Sequence, residues 1–180
     1  MALKPTIYKF RVSLSDMNRE LYTSCNLTIA QHPSETERRL CARLLAYCHG
    51  YSDDLEFTKG LSTVEEPDLW EKELHGDIRR WVELGEPDAD RVKKASRIAK
   101  RVSIYGYNTS VEQWWQQNQT KIVDYSEAVY QFDHEALDEF SGALSRTMDL
   151  SIMLTGEDIY VDTGSHSITV AIKTLLSKDL

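Results

Sequence analysis

Two acidic residues stand at a spacing that suits metal-assisted chemistry. Asp68 follows Pro67, and Glu83 comes fifteen residues later, near the end of the alternating segment 76–84. Two carboxylates that converge at a strand end supply hard oxygen ligands for Mg²⁺ or Mn²⁺, and the bound ion activates water and neutralises charge on a phosphodiester. Asp68 and Glu83 are therefore candidate metal ligands, and Glu83 is also a candidate catalytic residue.

A strongly basic segment follows these acids. Residues 91–101 carry six basic side chains and no acidic one, on a predicted helix that begins near Asp88 and ends at about Arg101. A lysine on this helix, next to the strand that bears Glu83, would orient the attacking water or stabilise charge on the phosphate. The alternative is a solvated helix face that complements the negative end of the helix dipole.

This arrangement follows the logic of the PD-(D/E)XK nuclease motif, but the match is incomplete. Leu84 and Gly85 follow Glu83, so the motif lysine is missing, and no acid-x-lysine triplet occurs anywhere in the chain. The Pro-Asp dipeptide also occurs twice, at 67–68 and 87–88. The motif alone is therefore weak evidence for a nuclease.

Composition and charge exclude several classes of protein. The 180 residues carry a formal charge of -8, which disfavours a protein that coats nucleic acid with its whole surface. The sequence has no run of about 18 apolar residues, so no membrane span is expected, and it lacks a secretory signal, which favours the cytoplasm. The three cysteines and five histidines show no zinc-ligand spacing.

Hydrophobic periodicity predicts one α/β domain over residues 1–180, with a mixed sheet flanked by helices. Residues 6–14 and 21–29 alternate as an N-terminal hairpin, and 76–107 reads as strand, helix and strand, which favours two parallel strands joined by a right-handed crossover. Helices are predicted at 110–119 and 134–146. Alternating residues from 148 to 172, with turns at Gly156 and Gly164, predict C-terminal antiparallel strands.

The first helix is predicted to start with a capping box formed by Ser34 and Glu37. Glu35, Arg39 and Arg43 follow one another at four-residue steps on a charged face. The expectation from this spacing is a solvated ladder of ion pairs, worth about 0.2–0.5 kcal/mol per pair.

Several ordered motifs together resemble the YaeQ family of bacterial proteins. They are HPSET at 32–36, FTKGL at 57–61, EPDLW at 66–70, WVELGEPD at 81–88, KKA at 93–95, YGY at 105–107 and WW at 114–115. The resemblance covers essentially the whole chain. It implies a compact α/β unit with a PD-(D/E)XK nuclease-like core, and it implies no established activity.

The resemblance also implies roles for individual residues. Asp68 and Glu83 take the places of the two motif acids, and Glu35 takes the place of a helix carboxylate directed at the metal. The missing lysine is then a migrated one, Lys94 first and Lys93 second. Candidate contacts to phosphate or nucleic acid are Arg91, Arg97 and Arg39.

Two functions follow from these expectations. The first is a Mg²⁺-dependent (or Mn²⁺-dependent) nuclease or phosphodiesterase that approaches nucleic acid through its local basic helix. The alternative is a non-catalytic module for nucleic-acid or protein contacts on a nuclease-like scaffold, which the glycine at position 85 favours.

Overall fold

The computed structural model describes residues 4–178, except for the side chain of Ser62. The strands are β1 (Thr6–Asp16), β2 (Leu21–Gln31), β3 (Leu55–Phe57), β4 (Leu69–Lys72), β5 (Ile78–Leu84), β6 (Ala99–Gly106), β7 (Ala128–Phe132), β8 (Thr147–Thr155), β9 (Asp158–Asp162) and β10 (Ser167–Ser177). The helices are α1 (Glu37–His49), α2 (Ala89–Ile98), α3 (Val111–Ile122) and α4 (His134–Gly142). None of the helices formed by residues 4–178 has the length and apolar character needed to cross a membrane. The fold is mixed α/β.

The chain forms two compact units, and the first comprises Met1–His49 and Asp133–Ile172. Its strands lie in the order β2-β1-β8-β9-β10, with β1 parallel to β8 and the other neighbours antiparallel. One sheet face is apolar because alternate residues of β1, such as Phe10 and Leu14, point inward and are almost fully buried. The helices α1 and α4 pack together in this unit, where Arg38 forms an ion pair of 2.6 Å with Asp138.

The second unit comprises Gly50–Phe132 and Lys173–Leu180. Its strands lie in the order β7-β6-β5-β4-β3, in which β5, β6 and β7 are parallel and β3, β4 and β5 are antiparallel. The helix α2 connects the parallel strands β5 and β6, and its buried Val92 and Ala95 join a core cluster with Trp81. This crossover holds the end of β5 beside the start of α2.

The structure confirms most of the predicted elements. The N-terminal hairpin, the parallel pair with its helical crossover and the C-terminal meander all form, and the turn glycines Gly156 and Gly164 have φ values of 60° and 90°. The sequence did not indicate the short strands β3, β4 and β7. The predicted helix 134–146 ends earlier, at Gly142.

Two helix boundaries differ from the prediction in ways that affect the site. The helix α2 ends at Ile98 and not at about Arg101, because Ala99 is extended and pairs with Ile78 in the parallel ladder. The predicted capping box at Ser34 is also wrong. The hydroxyl of Thr36 accepts the backbone N–H of Arg39 at 3.2 Å, whereas the backbone N–H of Ser34 donates to His32.

Candidate functional site

Asp68 and Glu83 come close together in the second unit. The backbone N–H of Leu84, the residue after Glu83, donates to Oδ2 of Asp68 at 2.8 Å. Asp68 is 4% exposed and Glu83 is 8% exposed. Burial raises the pKa of Glu83, and the negative charge of Asp68 adds to this effect, whereas hydrogen bonds from Trp81 and Arg91 oppose it. The predicted convergence of two acids therefore has a physical counterpart, a pair of buried carboxylates.

Both oxygens of Glu83 already accept hydrogen bonds from side chains. Oε1 accepts Nε of Arg91 at 2.9 Å, and Oε2 accepts Nε1 of Trp81 at 2.8 Å. Each carboxylate oxygen keeps a second lone pair, but a divalent cation on Oε1 would meet the positive guanidinium of Arg91 at 2.9 Å. Arg91 therefore already offsets the charge of Glu83 and opposes a metal ion shared by Asp68 and Glu83.

Arg91 has four hydrogen-bond partners within this unit. Its backbone N–H is capped by the carboxylate of Asp88 at 2.8 Å, at the start of α2. Besides Glu83, its guanidinium donates to the carbonyl oxygens of Val64 (2.7 Å) and Glu66 (3.1 Å). Arg91 thus fastens the loop before β4 to β5 and α2, and we call Arg91 with Glu83 and these two carbonyls the arginine clamp. Sequence reasoning assigned Arg91 to phosphate, but all three guanidinium nitrogens donate within the protein.

Glu35 belongs to the first unit and lies just before α1. Its Oε2 binds Nη1 of Arg39 at 2.6 Å, and its Oε1 binds Nη2 of Arg43 at 2.8 Å. All three residues are buried, so the expectation of a solvated ion-pair ladder is wrong. The four-residue spacing predicted the pairing, but it could not reveal that the fold buries this face. Glu35 and Arg39, predicted to touch metal and phosphate, are partners of each other.

The remaining predicted residues lie on the outside of α2. Lys93, Lys94 and Arg97 are exposed, and Nζ of Lys93 lies 5.9 Å from the ring centroid of Tyr125. The ion pair of Glu83 is with Arg91 and not with Lys93 or Lys94. Because α2 ends at Ile98, Lys100 and Arg101 belong to β6 and are not part of the basic helix.

The backbone explains why glycine stands at the position of the motif lysine. Gly85 has a φ of 106°, a conformation that residues with a side chain rarely adopt, and its N–H donates to the carbonyl of Tyr105 at 2.8 Å. A lysine here would be strained. The departure from the motif is therefore a requirement of the turn between β5 and α2.

The turn between β4 and β5 carries a partly exposed cluster that the sequence motifs did not indicate. Ligand atoms of Glu73, His75 and Asp77 all lie within 4.8 Å of one another, a separation compatible with a shared cation. Nζ of Lys100 lies 2.5 Å from Glu73, and the hydrogen bond from Lys100 lowers the pKa of Glu73. The ammonium group of Lys100 thus already offsets part of the negative charge of this cluster. The alternating spacing Glu-x-His-x-Asp was the available signal.

Comparisons with known proteins agree over nearly the whole chain. The YaeQ protein family matches residues 1–172. Uncharacterized protein YaeQ of Escherichia coli (strain K12) is 40% identical over 172 residues, which cover 94% of this chain and 95% of the relative. The protein of the same name from Salmonella typhi is 38% identical over the same shares of both chains.

Solved structures give the same result. The crystal structure of YaeQ protein from Xanthomonas axonopodis pv. citri has a TM-score of 0.92 and 32% identity, and covers 96% of this chain and 99% of that one. YaeQ protein from Pseudomonas syringae has a TM-score of 0.90 and 34% identity, with 97% of each chain covered. The chain belongs to the YaeQ family.

Proposed function

We propose that this chain is a non-catalytic nucleic-acid-binding module on a nuclease-like scaffold. Its contact surface is the basic face of α2, defined as Lys93, Lys94 and Arg97. The observation that carries this proposal is a division of roles among the candidate residues. The acids Glu83 and Glu35 and the arginines Arg91 and Arg39 have partners inside the protein, whereas the basic face is exposed.

The basic face suits a phosphate backbone by its spacing. Lys93 and Arg97 are four residues apart and Lys94 and Arg97 are three apart, so the three cations lie on one side of the helix. Asp90 lies one turn earlier on the same side, in the first turn, where an acid complements the helix dipole. Exposed cations can reach phosphates without breaking a buried ion pair, and few contacts predict weak binding that salt abolishes.

Salt-dependent binding tests this proposal. For short labelled single-stranded and double-stranded oligonucleotides, the logarithm of the binding constant should fall linearly with the logarithm of the salt concentration. Replacing the three residues of the basic face with glutamine should reduce the slope by roughly 2–3, because each phosphate contact contributes about 0.7–0.9.

A charge-matched control separates a specific face from general charge. Replacing Lys9, Lys121 and Lys173, which are all exposed, with glutamine removes the same three positive charges elsewhere. This variant should keep most of the salt slope. Binding that both triple variants weaken equally, or no binding at low salt, would refute the proposal.

The second candidate is the Mg²⁺-dependent phosphodiesterase with Asp68 and Glu83 as ligands. The observation that favours it is the pair of buried carboxylates at the end of β5, where burial and the charge of Asp68 raise the pKa of Glu83, because acids with perturbed pKa values cluster at functional sites. The positive charge of Arg91 beside Glu83 opposes a cation at this place.

Metal titration distinguishes the two candidates. Under the second candidate, calorimetry should detect Mn²⁺ binding that is strengthened by Arg91→Met and lost in Glu83→Gln, and Mg²⁺ or Mn²⁺ should support cleavage of DNA or RNA. Under the binding module, neither the wild type nor Arg91→Met cleaves nucleic acid. Cleavage that survives Glu83→Gln would contradict this metal site.

A further inference from the structure

The strand β2 ends the sheet of the first unit on one side. Within residues 4–178 it pairs with β1 and no other strand. It is 11 residues long and runs in unbroken antiparallel register from Leu21 opposite Asp16 to Gln31 opposite Thr6. A long regular edge strand offers backbone N–H and C=O groups to an added strand.

The register identifies the backbone groups that point away from the sheet. The N–H of Lys9 in β1 donates to the carbonyl of Arg146, next to β8, so odd-numbered residues of β1 face β8 and even-numbered residues face β2. Val12 and Leu14 are opposite Cys25 and Thr23. Odd-numbered residues of β2 therefore bond to β1, and even-numbered residues point outward.

A side chain supports this assignment at one end of the strand. Nη2 of Arg43 donates to the carbonyl of Ala30 at 2.9 Å, which occupies the outward carbonyl of this even-numbered residue. The outward residues before it are Tyr22, Ser24, Asn26 and Thr28, and we call these four residues the open edge. Their backbones offer four N–H and four C=O groups.

The open edge lacks the features that usually prevent strand addition. The strand β2 contains no charged residue, no proline and no bulge, whereas 28% of the chain is charged, so about three charges would be expected in 11 residues. The chain has a formal charge of -8, and this neutral strand avoids direct repulsion between two copies. A second copy is thus an electrostatically suitable partner.

One antiparallel register matches the open edge with itself. It pairs Tyr22 with Thr28 of the second copy and Ser24 with Asn26 of the second copy. These two pairs and their two symmetry mates each form two hydrogen bonds. All outward N–H and C=O groups of the open edge are then paired in both copies. The neighbouring registers are less suitable. Sliding the second copy in one direction would pair Tyr22 with Ala30, whose carbonyl already accepts Arg43, and sliding it in the other direction would pair Thr28 with Glu20, which lies outside β2.

This register places the twofold axis beside Cys25. The two copies of Cys25 then lie directly opposite each other in a non-hydrogen-bonded pair, with their Cα atoms about 4.5 Å apart and their side chains on the same face. Disulfides span Cα separations of about 4.4–6.8 Å. Cys25 is partly exposed, whereas Cys41 and Cys48 are buried.

We propose that the chain forms a twofold-symmetric dimer by antiparallel pairing of β2 with β2 of a second copy, with Cys25 facing Cys25 across the axis. An isologous contact of this kind closes on itself and yields a dimer, not a filament. The contact is small, so the dimer depends on protein concentration.

Oxidative cross-linking tests the register. Two copper(II)–phenanthroline complexes each accept one electron when two Cys25 thiols lose their protons and join as a disulfide. Mildly alkaline buffer favours this reaction because burial raises the pKa of Cys25. Non-reducing electrophoresis should show a species of about twice 20.7 kDa. It should disappear in Cys25→Ser. A dimer without this cross-link, or a cross-link that persists in Cys25→Ser, would overturn the register.

A matched pair of variants tests the strand pairing without a disulfide. Asn26→Pro removes an outward N–H that no intrachain ladder uses, whereas Asn26→Val keeps it, and both are made in Cys25→Ser. Sedimentation should show the mass of the Asn26→Val protein rising toward twice the monomer with concentration, while Asn26→Pro stays monomeric with an unchanged circular-dichroism spectrum. A monomer throughout, or equal dimerisation of both variants, would refute the proposal.

Discussion

Replacing Arg91 with methionine should destabilise the second unit through loss of the arginine clamp. Methionine keeps an unbranched side chain near Trp81, whose ring centroid lies 5.9 Å from Cζ of Arg91, but it donates no hydrogen bond. The variant loses three hydrogen bonds from the charged guanidinium, one to the carboxylate of Glu83 and two to the carbonyls of Val64 and Glu66.

The magnitude follows from these contacts. A hydrogen bond to a charged group contributes about 1.5–3 kcal/mol, and all three of these bonds come from the guanidinium. The Arg91 side chain is 31% exposed and that of Glu83 is 10% exposed, so water reaches part of the clamp and the cost lies below the sum of three such bonds. We expect a loss of about 3 kcal/mol in the free energy of unfolding, or a decrease of about 6–12 °C in Tm.

Urea denaturation of a double-mutant cycle measures this effect. In a Glu83→Gln background, Arg91→Met should cost at least about 1 kcal/mol less, because the ion pair with Glu83 is already absent. Arg97→Met is the matched control, since it makes the same change on an exposed residue of the same helix. A cost for Arg91→Met within about 0.5 kcal/mol of that for Arg97→Met would refute the clamp as a stabilising feature.

Two further predictions concern the same strand end. Burial and the charge of Asp68 hold the pKa of Glu83 above its ordinary value of 4.5 in the folded protein. The neutral carboxyl therefore stabilises the fold fully below pH 4.5, and this contribution to the free energy of unfolding is lost as pH rises through the raised pKa. The wild type should therefore lose stability relative to Glu83→Gln over this range in urea titrations, and a difference that does not change with pH would contradict the assignment. Gly85→Ala should lower the free energy of unfolding by about 1–3 kcal/mol, because alanine is strained at a φ of 106°. The control Gly142→Ala, at the end of α4, should cost nothing, because a Cβ added there meets open space. Equal decreases in Tm for the two variants would refute the strain.

Local sequence patterns predicted most of the helices and strands, because each of these elements is encoded by residues that are close together in the sequence. Alternation in β1 and β2, the acid cap at Asp88 and the strand-helix-strand order around α2 are each encoded within a short segment. The same rules could not locate β4, whose four residues are held by pairing with β5. They also extended α2 through Lys100 and Arg101, since only the ladder with β5 shows that these residues are extended.

For the candidate site residues too, the sequence predicted their identity but not their contacts. The sequence by itself determined the family motifs, the presence of two acids near a strand end and the basic character of the segment after them. Only the tertiary structure decided which charges meet, because Glu83 takes its partner from α2 and Arg91 takes two of its partners from the loop before β4. Ion pairing depends on distances of a few ångströms between segments remote in sequence. A count of charges along the chain cannot distinguish an arginine that binds phosphate from one that neutralises a buried glutamate.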